Sequence, residues 1–128
     1  MEHLSEVAGV LYGARLLVVE DDFIISLELQ SILGAAGAEV VTTCHNVSDA
    51  LRAITAKKLD AALLDVKLGR ETAAPVAQQL TRLGIPFLFY TGQTESDPTR
   101  AEWPSAPIIA KPSPSRQIVN ALAQLLGR

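Results

Sequence analysis

The sequence contains a single cysteine, Cys44, and no apolar run of the roughly 18 residues that a membrane-spanning helix needs. One cysteine excludes an internal disulfide and a metal site built from several cysteines. The first residues, MEHLSEV, carry acids instead of the basic segment that opens a secretory signal. We therefore expect a cytoplasmic protein that does not contact membranes, in which Cys44 is buried and inert within the strand-like run VVTTC.

Concentrated positive charge is also missing. The 11 lysines and arginines are scattered among 14 acids, and the formal net charge is −3. Nucleic-acid binding usually leaves a basic stripe or patch, so direct binding to DNA or RNA is not expected. The two histidines, His3 and His45, lack the four-helix context of a phosphotransfer histidine, and we expect both at the surface or in loops.

The residues that are present predict one α/β domain. A chain of 128 residues with 48% hydrophobic and 20% charged residues can bury a core without metals or disulfides. Apolar runs alternate five times with amphipathic stretches, a pattern typical of parallel strands joined by crossover helices. We predict strands at 16–20, 38–44, 59–65, 85–91 and 107–111. Glu39 and Thr43 interrupt the second run, which therefore suits an edge strand.

Helices are predicted between these strands, at 23–36, 48–58 and 72–83, with a last one beginning at Pro114. Asn46 or Ser48 can cap the second helix. The prolines at 98, 104 and 107 favour a loop or a short, distorted fourth helix. The inward faces should consist of Ile25, Leu29, Ile32 and Leu33, then Leu51 and Ile54, then Val76, Leu80 and Leu83, and finally Ile118, Leu122, Leu125 and Leu126.

The domain itself should cover residues 15–128, and residues 1–14 form an N-terminal extension. The extension has modest helical character, with apolar residues at Leu4, Val7 and Leu11. Two alternatives remain open for it, since it could dock on the domain or support dimerisation. The expected oligomeric state is accordingly a monomer or a weak homodimer.

Polar side chains follow the predicted strands at the points where the strands end. Parallel strands present their carboxyl ends at one edge of the sheet, so we expect these side chains to meet there. A dense group of carboxylates is stable when a divalent cation is bound, and an oxygen-only site that is open to water suits Mg²⁺. In chain order, the residues are Glu20, Asp21 and Asp22, then Asp65, Thr91 and Lys111.

Each of these residues has a simpler explanation when it is taken alone. Asp21 or Asp22 could cap the first helix, and Asp65 could belong to a turn. Thr91 could precede an ordinary turn, and Lys111 could be solvated. Their joint position at successive strand ends favours one chemical site, in which a carboxylate accepts a phosphoryl group with help from a hydroxyl and an ammonium.

The motifs LLVVEDD, LLDVKLG, FYTG and IAKP resemble the receiver domains of bacterial response regulators, in the family's order and near its spacing. The resemblance covers about Arg15 to Gly127 and implies a doubly wound, five-stranded parallel sheet of order 2-1-3-4-5, a flavodoxin-like fold. It also implies a cis peptide bond between Lys111 and Pro112. In the implied site, Glu20 and Asp21 are the acidic pair and Asp65 is the phosphoacceptor. Thr91 is the switch hydroxyl, and Lys111 pairs with the phosphate. The resemblance also implies that Mg²⁺ is held by Asp21, Asp65 and the backbone carbonyl of Lys67, with Glu20 acting through water.

Two positions depart from the family pattern. Many receivers carry an aromatic residue three positions before the lysine, where this chain has Ile108. The run PFLFYTG is similar to the Phe-Ala-Thr-Gly-aromatic motif of stand-alone alphaproteobacterial receivers, with Tyr90 in place of Ala and Gln93 in place of the aromatic residue. Those relatives tend to have an irregular or shortened fourth helix. We therefore expect the switch to involve the segment 93–107 without a ring flip at Ile108.

The implied function is that of a single-domain response regulator that accepts a phosphoryl group on Asp65. The donor would be a histidine kinase or a histidine phosphotransfer protein, and the signal would pass to an unidentified protein partner. We expect no enzymatic activity beyond self-phosphorylation and autodephosphorylation, because Lys67 stands where small-molecule hydrolases of aspartyl-phosphate type carry a second acid. The alternatives are a pseudo-receiver that binds proteins without phosphorylation, or a phosphate sink.

Overall fold

Five parallel strands form the central sheet of the computed structural model, which describes residues 7–92 and 98–128. The strands are β1 Arg15–Val19, β2 Val40–Cys44, β3 Ala61–Leu64, β4 Lys67–Leu68, β5 Glu71–Thr72, β6 Phe87–Thr91 and β7 Ile108–Ala110. The sheet order is β2-β1-β3-β6-β7, so the predicted doubly wound topology is confirmed. Two short strands, β4 and β5, pair as a separate antiparallel hairpin after β3. β2 lies at the edge, as its interrupted apolar pattern predicted.

Five helices accompany the sheet in the described ranges. They begin and end within a few residues of the predicted bounds, except that Pro114 precedes the last helix instead of opening it. The fourth helix has only five residues, which agrees with the predicted short helix, while positions 93–97 of that segment lie outside the described residues. The helices are α1 Phe23–Ala35, α2 Val47–Ala56, α3 Ala74–Arg82, α4 Pro98–Glu102 and α5 Ser115–Leu125.

Two hydrophobic clusters lie on the two faces of the sheet. Because side chains alternate along each strand, Phe87 and Phe89 of β6 belong to the cluster under α2 and α3. Leu88 and Tyr90 of the same strand belong to the cluster under α1 and α5. Burying apolar surface contributes about 25 cal/mol per Å², so these clusters supply the main force that holds the helices on the sheet.

The predicted inward faces are mostly confirmed, with one exception. The buried residues among them are Leu29, Leu33, Ile54, Val76, Leu80, Ile118 and Leu122. The other predicted residues, apart from Leu83, are partly buried and pack against the two clusters. Leu83 was expected to be buried, but 49% of it is exposed. The reason is that α3 ends at Arg82 and the chain turns at Gly84, whose φ is +72°, so Leu83 leaves the buried face.

The described part of the N-terminal extension packs on the domain. Val7 and Leu11 are buried in the cluster under α1 and α5, and the Leu11 N–H donates to the Ala36 carbonyl. Gly37 comes so close that a Cβ added to it would lie 3.1 Å from a backbone atom of Tyr12. Docking of this segment is therefore observed for residues 7–14, while His3 and Leu4 lie outside the described residues.

Cys44 is buried at the end of β2, as predicted. Burial raises the pKa of its thiol, and the nearby Asp49 carboxylate acts in the same direction. The thiol therefore stays protonated at neutral pH, which makes it a poor nucleophile. Among the helices described here, none is long and apolar enough to cross a membrane.

Candidate functional site

The carboxyl edge of the sheet brings the predicted polar residues together. β1 ends at Val19, and Glu20 and Asp21 follow it directly. Asp65 follows the end of β3, the strand that lies next to β1. Glu20 N–H donates to the Cys44 carbonyl and Asp65 N–H to the Val19 carbonyl, so sheet hydrogen bonds extend to both acids and fix their backbones.

Glu20, Asp21 and Asp65 form the acid cluster. Each contributes a carboxylate oxygen, and these oxygens all lie within 4.8 Å of one another. Glu20 and Asp65 are buried, whereas Asp21 is exposed to solvent. One oxygen of Asp21 accepts the Gly69 N–H at 2.8 Å, which ties the first acidic loop to the β4–β5 hairpin.

Lys111 joins the acid cluster from the end of β7. Its ammonium donates to both carboxylate oxygens of Glu20 at 2.8 Å and to Oδ2 of Asp65 at 2.8 Å. The three ammonium protons therefore have three carboxylate acceptors, all held within a largely buried site. Removing one member of a buried ion pair is strongly destabilising, since it leaves an uncompensated charge. The contacts explain why the predicted lysine is not simply solvated.

The ionisation of these groups is strongly perturbed. Burial raises the pKa of Glu20 to about 7, against the opposing hydrogen bond from Lys111. Burial also lowers the pKa of Lys111, but its hydrogen bonds to Asp65 and Glu20 and their negative charges outweigh burial and leave that pKa raised. The raised pKa keeps Lys111 charged at neutral pH, and burial makes Glu20 easier to protonate than an ordinary glutamate.

Asp22 lies beside the acid cluster but has a different role. Its Oδ1 accepts the N–H of Ile24 at 2.9 Å and the N–H of Ile25 at 3.2 Å, so it caps α1. Helix capping was one of the two explanations for an acid at this point, and the structure assigns it to Asp22. Its neighbour Asp21 turns instead toward the hairpin through Gly69.

Thr91 and Lys67 complete the predicted set. Thr91 is fully buried at the end of β6, and its carbonyl accepts the Lys111 N–H at 3.1 Å. Lys67 opens the β4–β5 hairpin two residues after Asp65, with its side chain exposed. The chain has the predicted cis peptide bond between Lys111 and Pro112.

Three structural features near the site were not predicted from the sequence. No strands were predicted between Asp65 and the third helix, where Lys67–Leu68 and Glu71–Thr72 pair as a hairpin that turns at Gly69, with φ of +66°. His45 was expected only at the surface or in a loop, and its Nδ1 lies 2.9 Å from the Glu20 carbonyl oxygen. The Lys111 ammonium also lies 5.7 Å from the centre of the Tyr90 ring, which is within cation–π range.

Comparison with known proteins gives consistent matches. The family model described as "Response regulator receiver domain" matches residues 16–123. A curated relative, the uncharacterized transcriptional regulatory protein YbdJ of Bacillus subtilis (strain 168), is 33% identical over 87 residues, which cover 66% of this chain and 38% of that protein. The chain thus spans well under half of this relative's length.

Two solved structures resemble this chain in both fold and sequence. The solution structure of SdrG from Sphingomonas melonis Fr1 is 34% identical, covers 89% of this chain and 97% of that chain, and has a TM-score of 0.75. The solution structure of the BeF3-activated conformation of SdrG from Pseudomonas melonis Fr1 is 35% identical, and the match covers 93% of this chain and 98% of that chain, with a TM-score of 0.72. The chain belongs to the family of response regulator receiver domains.

Proposed function

We propose that this receiver domain is a phosphorylation switch in which Asp65 accepts the phosphoryl group. The observation that carries the proposal is the three-way contact of Lys111 with Glu20 and Asp65, beside the exposed Asp21. The carboxyl edge of the sheet thus holds a carboxylate that can act as nucleophile, further acids that can bind a cation, and an ammonium whose position is fixed. This is the set of groups that forms and stabilises an aspartyl phosphate.

In the proposed transfer, a carboxylate oxygen of Asp65 forms a bond to phosphorus while the bond from phosphorus to the donor breaks. For a phosphohistidine donor, the leaving imidazole nitrogen takes up a proton from solvent. Asp65 sits on the end of the central strand β3, so its position is fixed by neighbours on both sides. Asp65 is only 7% exposed, and the exposed Asp21 lies on the solvent side of the same cluster.

The acid cluster fits a bound Mg²⁺, because its three donors are carboxylates whose oxygens converge. Asp21, Asp65 and the Lys67 backbone carbonyl would hold the ion, with Glu20 acting through water. When bound, the ion supplies positive charge that reduces repulsion between the carboxylates and the incoming phosphoryl oxygens. Three carboxylates against the single Lys111 ammonium leave the site with net negative charge, which favours a cation.

Lys111 and Thr91 act after transfer. The ammonium, now paired with Asp65, would re-pair with a phosphoryl oxygen, and the Thr91 hydroxyl would donate to another. Both groups are fixed by backbone pairing between the ends of β6 and β7. We propose no further catalysis, so that the chain has at most self-phosphorylation and autodephosphorylation activity.

A protein phosphodonor would find an apolar surface directly beside the acids. Phe23 is 62% and Ile24 is 71% exposed on the first turn of α1, and Leu27 is exposed one turn later. Exposed apolar side chains that group next to a reactive site are typical of a protein-binding surface. We propose that a histidine kinase or a phosphotransfer protein docks here, and that an unidentified partner reads the phosphorylated state. Direct nucleic-acid binding is not part of the proposal.

The pseudo-receiver alternative has one observation in its favour. Ile108 packs partly buried against the cluster under α2 and α3, where many receivers place a mobile ring. A chain that binds proteins without phosphorylation would need no such ring. The sink alternative differs only in having no downstream partner. A pseudo-receiver predicts that mutation of Asp65 leaves the biological output unchanged, whereas a sink predicts that the mutation alters signalling, because the phosphoryl group is no longer drawn from the donor.

Mass measurement with acetyl phosphate and Mg²⁺ tests the proposal. The wild type should gain one phosphoryl group, and Asp65→Asn should gain none. Asp22→Asn is the matched control, since Asn also caps helices and this acid lies outside the acid cluster. Labelling of Asp65→Asn to the wild-type extent would refute the assignment, and no labelling of the wild type would favour the pseudo-receiver.

A further inference from the structure

We propose that Tyr90 positions the Lys111 ammonium and carries the phosphorylation signal to the groove between α1 and α5. The inference rests on the proposed function, because it needs a phosphoryl group on Asp65. It concerns a residue that departs from the related motif, where a small alanine is usual. The chain therefore has a ring at a place where those relatives have none.

Tyr90 lies on the opposite face of the sheet from Thr91 and from Ile108, the position where many receivers carry an aromatic ring. Thr91 and Ile108 follow the alternation of Phe89, which belongs to the cluster under α2 and α3. Tyr90 points to the opposite face and is buried in the cluster under α1 and α5. An aromatic ring is thus present near the site, but on the other side of the sheet from position 108.

Lys111 connects this ring to the acids. Its ammonium lies 5.7 Å from the ring centre while it donates to Glu20 and Asp65. The negative face of an aromatic ring attracts a cation, and the attraction is larger where water is excluded. Tyr90 is only 6% exposed, so its ring helps to hold the ammonium in the unphosphorylated arrangement.

The ring also forms part of a groove on the outside of this cluster. The groove has a volume of about 330 Å³ and lies between α1 and the start of α5. Besides Tyr90, it is lined by Ile25 and Ile118 and by Pro112 and Pro114, which closely follow Lys111 in the chain. A movement of the ammonium therefore changes both the ring and the chain segment that border the same groove.

Phosphorylation supplies that movement. Once an Asp65 oxygen is bonded to phosphorus in the acyl phosphate, the negative charge lies farther out on the phosphoryl oxygens, and the ammonium must follow to stay paired. The cation–π contact then weakens, and Tyr90 is released toward the groove. The signal emerges at α1 and α5 through this contact, in addition to any change that Thr91 produces on the opposite face.

Fluorine NMR on protein labelled with 3-fluorotyrosine tests the inference. The chain has two tyrosines, and Tyr12, which is 78% exposed and not part of the acid cluster, is an internal control. Tyr12→Phe assigns the two resonances. On treatment with acetyl phosphate and Mg²⁺, the Tyr90 resonance should shift while the Tyr12 resonance stays. Fluorescence of the single tryptophan, Trp103, reports the opposite face in the same sample.

Two variants establish that the ring transmits the change. Tyr90→Leu should gain the phosphoryl mass but lose the phosphorylation-dependent amide shifts of Ile25 and Ile118, and Tyr90→Phe should retain them because it keeps the ring. Wild-type groove shifts in Tyr90→Leu, or a phosphorylated wild type whose Tyr90 resonance does not move, overturn the inference alone. A wild type that gains no mass overturns the proposed function and the inference with it. If Tyr90→Leu fails to fold, the inference is still tested by the Tyr90 resonance of the phosphorylated wild type and by the groove shifts of Tyr90→Phe.

Discussion

At the scale of single residues, the central feature is the number of carboxylates that share one ammonium. Glu20 and Asp65 both accept from Lys111 at 2.8 Å, while Asp21 faces solvent. The buried acids fix the lysine, and the exposed acid is accessible to a metal ion. This division of burial suggests that Asp21 contributes more to metal affinity than to stability.

The first prediction is that Asp21→Asn weakens Mg²⁺ binding, because the substitution removes one of three converging negative charges. The Gly69 amide donates to this carboxylate, so its chemical shift in a Mg²⁺ titration is a direct measure. Asp65→Asn should also weaken binding. Asp22→Asn is the control and should bind as the wild type does, and equal affinity in Asp21→Asn would place the metal elsewhere.

The second prediction concerns pH and stability in the presence of a chelator. The pKa of Glu20 is about 7 in the folded chain, against 4.5 for an ordinary glutamate. Between these values the folded state holds a proton that the unfolded chain has released, so this contribution to stability is present at low pH and is lost as the pH rises toward 7.

Glu20→Gln removes this titration and is the matched comparison. Urea unfolding should show that the free energy of unfolding of the wild type, relative to Glu20→Gln, falls as the pH rises from 4.5 to about 7 and levels off above that value. If the ion pair with Lys111 outweighed burial, the pKa would be depressed and the relative stability would rise with pH. A rising difference would therefore contradict the assignment.

At the scale of elements, the helix termini show how local chemistry fixed the boundaries. Asn46 precedes α2, and its side chain accepts the Asp49 N–H at 2.8 Å. The sequence left Asn46 and Ser48 as alternative caps, and the structure selects Asn46. Ser48 instead lies within the first turn of α2 with its side chain exposed.

The third prediction is that Asn46→Ala lowers the free energy of unfolding by about 1 kcal/mol, because an N-cap hydrogen bond is lost. Ser48→Ala is the control and should change stability by less than about 0.5 kcal/mol, as surface substitutions usually do. Both values come from urea denaturation at one pH. Equal losses in the two variants would mean that the cap is not the cause.

The elements that sequence patterns described less well are those without a repeating pattern. The β4–β5 hairpin has two residues in each strand, too few for an alternating pattern to be recognised. The end of α3 was placed one residue too far because Leu83 continues the apolar spacing, whereas Gly84 fixes the turn. In both places a glycine with positive φ was the local signal.

At the scale of the whole molecule, the two ends of the described chain meet. The Arg128 guanidinium donates to the carbonyl oxygens of Val10 and Tyr12 at 3.1 and 2.9 Å. Val7 and Leu11 of the same segment are buried. The segment 7–14 is thus packed into the cluster under α1 and α5, and the division of the chain after residue 14 stays a prediction about domain organisation.

The fourth prediction is that Leu11→Ala destabilises the protein by about 2 to 5 kcal/mol, because the substitution leaves a cavity in a fully buried site. Tyr12→Ala changes the adjacent residue, whose side chain is mostly exposed, and should cost far less. Chemical denaturation of both variants measures the difference. A small loss in Leu11→Ala would show that the segment packs only weakly on the domain.

The sequence by itself determined the fold class and the residues that end the strands, because apolar runs and polar strand ends are local patterns. It also determined that β2 lies at an edge and that Cys44 is buried, and its motifs implied the strand order through their resemblance to receivers. The same locality made the metal and phosphoryl roles predictable, although they remain proposals. Patterns of this kind depend only on neighbouring residues and on the alternation of side chains along a strand.

Only the tertiary structure decided which of these residues touch. Lys111 and Glu20 are 91 positions apart, and their contact depends on the register of the parallel strands between them. The approach of Lys111 to Tyr90 and the docking of Leu11 beside Ala36 are likewise contacts between distant segments. Such contacts arise from packing of whole elements, since local sequence preferences carry no information about which distant side chain will fill a given space.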